Sequence, residues 1–253
     1  MDFSFSSYIN LLEKIQAAGY RAIPFKDITN FAQGENLAII RHDVDLDLSK
    51  AREMAILERK KGICSTYFVL LSSSYYNLMH KENYRAMMDI LSMGHEVGLH
   101  FDVTNYAEKS VEDNLEELVL HEIDLMERIL GRGVKSLSWH IPKKSLLGKR
   151  LDFLENRGIQ NAYDPQFFNF FRYYSDSMMR WREDILSNLN VADNPNIQVL
   201  THPIWYEDVS GEDSVQLLFK NRRKKSMEVD QYLETIVPGF YAKVAKDYNN
   251  PVE

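Results

Sequence analysis

The chain has 253 residues, 45% of them apolar and 26% charged. This composition fits one folded domain over 1–253 and sets extensive disorder aside. A net charge of −7 argues against a nucleic-acid partner, which calls for a basic surface. The single cysteine, Cys64, excludes a disulfide framework and a thiolate zinc site, and in its apolar run it reads as a buried structural thiol. Met1–Tyr20 lacks the basic-then-apolar order of a secretory leader, and no apolar stretch reaches the roughly 18 residues that span a bilayer. A soluble, cytoplasmic protein is the expectation.

Tyr8, Leu11, Leu12 and Ile15 recur at helical spacing before Gly19 and mark an opening helix. Asn36–Ile40 reads as a buried strand that ends at Arg41-His42-Asp43. Leu48–Lys61 is a helix with Asp47 or Ser49 as its cap and Gly62 as its stop. Ile63–Leu71 is a strand, Tyr84–Met93 a helix closed by Gly94, and His95–Phe101 a strand. Val111–Leu130 is a long amphipathic helix closed by Gly131. Lys135–His140 is a strand and Leu147–Asn156 a helix that stops near Gly158. Short strands fit Gln160–Tyr163 and Arg172–Ser175. Ile197–His202 is the last strand, and Val215–Asp247 is helical with a break near Pro238. Alternating strands and helices predict a parallel sheet flanked by helices.

Polar residues collect where these strands end. His42, Asp43 and Asp45 follow the first main strand, and His100 and Asp102 end the third. His140 ends the fourth, Asp176 follows a later one, and His202 ends the last. Active sites of parallel α/β folds gather at the C-terminal ends of strands. Carboxylates with imidazoles and no thiolate form a ligand set for zinc or a similar divalent ion. Such an ion polarises an acyl carbonyl and lowers the pKa of water, while a spare carboxylate and a spare imidazole serve as base and acid. Residues two apart on an extended segment share a face, so Asp43 and Asp45 can enter one pocket.

The ordered set Arg41-His42-Asp43-Val44-Asp45, Ser65-Thr66-Tyr67-Phe68-Val69, Gly94-His95-Glu96-Val97-Gly98-Leu99-His100 and Leu200-Thr201-His202 resembles the motifs of the polysaccharide deacetylase (NodB-homology) family. It spans about residues 40–205. The resemblance implies a distorted (β/α) barrel of about seven strands. It also implies a divalent metal, zinc by preference, and hydrolysis of an N-acyl group on a sugar or glycan precursor. In its terms Asp43 is the general base, Asp45 and His100 are metal ligands, and His202 is the general acid. Tyr174-Ser175-Asp176-Ser177 with Arg180-Trp181 resembles a further motif in which an aspartate orients the acid histidine and a tryptophan lines the pocket. Trp205 adds a second aromatic for a sugar face. The pattern is closest to a branch associated with surface-polysaccharide and O-antigen biosynthesis.

The chain departs from that pattern at Thr104, where the family usually carries a second metal histidine. His140, Asp102 and His202 are the alternatives for the third ligand, with His140 slightly favoured. Other readings compete at several positions. Asp43 and Asp45 can cap the next helix. His42 is either an outer partner of the site or a packed imidazole. His95 reads as structural, Trp139 as core, and His80 and His121 as surface residues. The basic run Lys220–Lys225 reads as a solvated helix face, with attraction to anionic lipid as the sharper alternative. A sugar-binding protein without catalysis and an amidase acting on another non-peptide C–N bond remain alternative functions. The sequence leaves the oligomeric state open.

Overall fold

A computed structural model describes residues 1–30, 34–240 and 242–243. Helix α1, Phe5–Ala17, buries Tyr8, Leu11, Leu12 and Ile15 on one stripe and starts from Ser4, whose side chain accepts from Ser7 N. Strand β1, Arg21–Ile23, leads to β2, Leu37–Val44, buried throughout. Helix α2, Leu48–Lys60, is capped by the Asp47 carboxylate. With Asp47 in that role, Asp43 and Asp45 are not needed as caps.

Strand β3 is Thr66–Leu70, α3 Lys81–Ser92 and β4 Glu96–Asp102. Helix α4, Glu108–Leu130, ends on Gly131 in the left-handed region at φ 65°, a conformation that suits glycine. Strand β5 is Ser136–His140, α5 Asp152–Asn156 and β6 Gln160–Asn161. Helix α6, Pro165–Phe170, is followed by β7, Arg172–Ser175, and β8, Asn196–Thr201.

All strand pairs are parallel and belong to one eight-stranded sheet. Its path runs β6-β5-β4-β3-β2-β8-β7, with β1 beside β2. β1 pairs with Leu37–Ile39 and β3 with Arg41–Val44, while β8 pairs with Leu37–His42. The fold is a distorted (β/α) barrel that stays open between β6 and β7. By its contacts the chain divides into two units, Met1–Gly211 and Glu212–Glu253. The first holds the whole sheet. The second carries α7, Ser214–Ile236, opened by a capping box between Asp213 and Gln216. Residues 241 and 244–247 of the expected last helix lie outside the described residues. No helix among the described residues is long and apolar enough to cross a membrane.

Four expectations change. The polar segment Arg41–Asp43 does not follow the strand but forms part of it, because the side chains that enter the barrel find partners there. The helix expected from Leu147 starts only at Asp152, since Gly148 turns to φ 64° and breaks the run. β1 and α6 were not expected, although Asp164-Pro165 is a cap followed by a proline at the first turn. Cys64 is only half-buried. Trp139 is core, 1% exposed, with its indole N–H on Asn161 Oδ1 at 3.1 Å. His80 and His121 are exposed.

The outer face of the sheet packs Tyr67, Val69, Leu99, Phe101 and Leu137 against apolar residues of α2, α3 and α4. The lower interior packs Ile23, Phe25, Ile39, Phe68 and Phe167. Gly98 has to be small: a Cβ there would lie 2.5 Å from Ser136 Oγ and 2.7 Å from the Phe68 ring. One polar knot sits within the outer layer. Glu58 of α2 accepts from the Tyr8 hydroxyl, from Ser65 Oγ at 2.5 Å and from Tyr67 Oη at 2.6 Å. Its Oε1 also lies 2.7 Å from His42 Nε2. His95 joins the knot through Ser65 and contacts Ala55 O at 3.0 Å, so its role is structural.

Burial opposes the charge on Glu58, but His42, His95 and the donor hydroxyls outweigh it and bring its pKa down to about 2. A depressed carboxylate stabilises the fold above its unfolded pKa, and that contribution is lost as pH falls from the ordinary 4.5 toward 2. Replacing Glu58 by Ala orphans buried donors. We expect a loss of about 3–5 kcal/mol in urea unfolding at pH 7, with Glu58→Gln recovering part of it. A change below about 0.5 kcal/mol in Glu58→Ala would show that the knot does not hold α1 and α2 to the sheet.

Candidate metal and acid–base site

Alternation along β2 decides what enters the barrel. Arg41 and Asp43 face inward, and His42 faces the outer layer. His42 Nδ1 lies 2.7 Å from Thr201 Oγ1, and its ring stacks on Tyr67 at 4.2 Å. The imidazole is therefore a packed, hydrogen-bonded group on the side of the sheet opposite the site.

Inside, Arg41 and Asp43 form a buried ion pair, with Nη2 to Oδ2 at 2.7 Å and Nε to Oδ1 at 3.3 Å. The same guanidinium donates to Ser138 Oγ at 2.8 Å, Tyr163 Oη at 3.2 Å and Gln198 Oε1 at 3.3 Å. It lies 4.8 Å from the centroid of the Tyr163 ring and 5.4 Å from that of Phe68. Burial works against charge on Asp43, and Arg41, with His100 and His202, overrides it and holds the carboxyl below the usual carboxylate range. Asp43 is thus an ionised, fixed carboxylate at neutral pH.

One residue beyond the end of β2, Asp45 meets the ends of β4 and β5. Its Oδ1 is 3.2 Å from His100 Nε2 and 3.2 Å from His140 Nδ1, and those two nitrogens are 3.2 Å apart. The register places His100 beside Ser138 and His140 beside Asp102, so the two imidazoles share a face as diagonal neighbours two residues apart. After His140 the chain turns through Ile141 at φ 46°. A β-branched residue in the left-handed region costs about 1–2 kcal/mol, a strain located at the end of the strand that carries His140.

The triangle suits a divalent cation. Ligand atoms about 2.1 Å from a tetrahedral ion stand about 3.4 Å apart, close to the observed spacing. Asp45 Oδ1 is buried with no well-aligned hydrogen bond; burial penalises its charge, and the two imidazoles beside it pull its pKa down. Asp45, His100 and His140 are the group among the described residues whose ligand atoms all lie within 4.8 Å of one another.

The other two alternatives for the third ligand stand outside this triangle. Asp102 Oδ1 accepts from Thr104 N at 2.8 Å and Thr104 Oγ1 at 2.7 Å, capping the turn Val103–Asn105. His202 Nδ1 lies 2.6 Å from Asp176 Oδ1, and its backbone N–H donates to both oxygens of that buried carboxylate. Burial disfavours the imidazolium, but Asp176 more than compensates and lifts the His202 pKa to about 9.

Trp205 is 9% exposed, and its ring lies 6.5 Å from that of His202. Arg180 is exposed and Trp181 half-buried. Among the described residues no hydrogen bond or ring contact joins either of them to Asp43 or to the triangle. The Arg180 backbone N–H donates to Asp176 O at 3.1 Å, which fixes the turn that carries Asp176.

No protein-family model matches the chain. No curated protein matches it either. Solved structures do. IcaB from Ammonifex degensii shares 15% identity over 63% of this chain and 78% of its own, with a TM-score of 0.45. The polysaccharide deacetylase Bc1974 from Bacillus cereus shares 17% over 76% and 89%, at 0.45. The chitin deacetylase from the fungal pathogen Colletotrichum lindemuthianum shares 14% over 75% and 82%, at 0.43.

Arg41, Ser138, Tyr163 and Gln198 escaped the sequence reading as site residues. Arg41 carried a signal, because it stands two residues before Asp43 and so shares its face. The other three come from separate strands and connections and carried none.

The triangle generates a test. We expect chelator-competition titrations to show zinc affinity falling by more than about 100-fold in Asp45→Asn and His140→Ala. That exceeds the loss of about 10–100-fold typical of removing a group outside the coordination shell. Asp102→Asn should stay within about tenfold. An Asp102→Asn loss as large as that of His140→Ala would move the third ligand to Asp102.

Proposed function

We propose that the chain is a metal-dependent hydrolase that removes the acetyl group from an N-acetylated sugar, as a precursor in surface-polysaccharide assembly. The observation that carries this reading is the company the triangle keeps. An ionised carboxylate, Asp43, has its Oδ2 3.8 Å from His100 Nε2, and a protonated imidazole, His202, also ends a strand of the same barrel. Ligands, base and acid thus occupy one end of the sheet, as the motif resemblance implies.

A divalent cation held by Asp45, His100 and His140 would polarise the acyl oxygen and make water more acidic. The residues of the chain do the rest. Asp43 accepts the proton of the attacking water, and Arg41 keeps it ionised and oriented until then. His202 is charged below about pH 9 and gives its Nε2 proton to the leaving nitrogen as the C–N bond breaks. Acetate and a free amine result. Asp176 holds Nδ1, so the imidazole presents its other nitrogen.

One observation favours a second reading, a sugar-binding protein without turnover. Both oxygens of Asp43 are engaged by Arg41, which weakens the carboxylate as a base. Acetate release from N-acetylglucosamine oligomers, measured with zinc supplied, separates the two readings. We expect Asp43→Asn to lower kcat by at least about 10³-fold with zinc retained; equal turnover would remove Asp43 from the chemistry.

The pH profile is a second test. An acid with a raised pKa is competent below that value, so activity should fall as pH rises through about 9. Asp176→Asn removes the group that raises it and should shift the alkaline limb toward the ordinary 6.5. An unmoved limb would exclude His202 as the acid.

A further inference from the structure

We propose that the open seam of the barrel is a binding pocket for a hydrocarbon chain carried by the substrate. β6 and β7 end the sheet path and are not paired to each other, and the gap between them holds a cavity of about 400 Å³. This is within the size range of small-ligand sites. Tyr163, Phe167, Phe168, Phe171 and Tyr173 line it, and Gln198 belongs to its wall. Phe168 is 55% exposed and Tyr173 43%, so two rings stand where a ligand would cover them.

Gln198, Tyr163 and Arg172, polar groups of this lining, already have partners within the protein, which favours an apolar occupant. Gln198 gives its N–H to Ala162 O and receives Arg41 at its Oε1. Tyr163 Oη accepts from Arg41, and Arg172 pairs with Glu183 at the rim. A sugar ring placed there would leave its hydroxyls without partners at a cost. A hydrocarbon loses nothing and covers exposed aromatic carbon.

The pocket also shares a wall with the proposed reaction centre. The Tyr163 hydroxyl that borders it is 3.2 Å from Arg41 Nη2, which is 2.7 Å from Asp43 Oδ2. A chain attached to the sugar, as a lipid aglycone or as an N-acyl group longer than acetyl, has the chemistry this pocket takes. The link to turnover rests on the deacetylase reading; binding of the chain does not.

The experiment uses the full chain with zinc and probes kept below their critical micelle concentrations. Isothermal titration compares octyl with methyl β-D-glucoside, which carry no amide. Turnover compares methyl, butyl and octyl glycosides of N-acetylglucosamine, and then N-acetyl, N-butanoyl and N-octanoyl forms of methyl glucosaminide. We expect the octyl glucoside to bind at least about tenfold more tightly than the methyl, and this gain to vanish in Phe168→Asp. The urea-unfolding midpoint of that variant should match the wild type's, which shows that it is folded.

Rising kcat/KM along the glycoside series identifies an aglycone; rising kcat/KM along the acyl series identifies a long acyl group. Octyl binding without turnover of any probe would leave the pocket standing and sink the deacetylase reading. Equal binding of octyl and methyl glucosides, or a gain that survives in Phe168→Asp, would overturn the pocket.

Discussion

A buried ion pair governs this barrel from within. Arg41 and Asp43 both lie inside a parallel sheet, where an unpaired charge would cost several kcal/mol. Each is tolerable only because of the other, and because Ser138, Tyr163 and Gln198 also accept from the guanidinium. The pair lets β2 run four residues past its apolar start and carry a carboxylate into the interior. Asp45 then emerges one residue past the strand, at the level of His100 and His140. If Arg41 were apolar, Asp43 would either take up a proton or force the strand to end early, and Asp45 would lose its register with the two imidazoles.

The opposite face of the same strand answers a matching problem. His42 points away from the site into the layer beneath α1 and α2, where Glu58 receives it together with Tyr8, Ser65 and Tyr67. Two charged or chargeable groups in successive positions are thus buried on opposite sides of one sheet, each with its own partners. This double anchoring holds β2, and with it Asp43, in place from both faces, as a group that is to act on a bound molecule requires.

Much of this was legible in sequence, for reasons that differ by residue. The α1 stripe, the cap at Asp47 and the stop at Gly131 announce themselves through local physics, and the structure has them. The barrel class follows from alternating elements and the motif resemblance. Asp43, Asp45, His100, His140 and His202 were singled out because they lie at strand ends. Arg41 was passed over because an arginine inside an apolar run reads as a strand terminator unless its acidic partner two residues on is considered with it. His42 stayed ambiguous because its partner Glu58 lies on a helix 16 residues away, and no periodicity encodes that meeting. Tyr163 and Gln198 meet Arg41 only after the sheet has curled, and the sequence offers no local trace of that curvature.

Among Asp102, His140 and His202, the three candidates for a third ligand, position in the fold separates what residue type does not. All three residues fall at the ends of strands, and type alone cannot rank them. Asp102 accepts two hydrogen bonds from Thr104, and His202 is tied to Asp176 through its ring and its backbone. The bond at Nδ1 leaves His202 Nε2 able to coordinate, so the distinction rests on place: among the described residues His140 sets a ligand atom within 4.8 Å of those of Asp45 and His100. Thr104, which breaks the expected pattern of ligands, is the residue that engages Asp102. That engagement is at Asp102 Oδ1, while His140, at the end of the neighbouring strand, stands in the triangle.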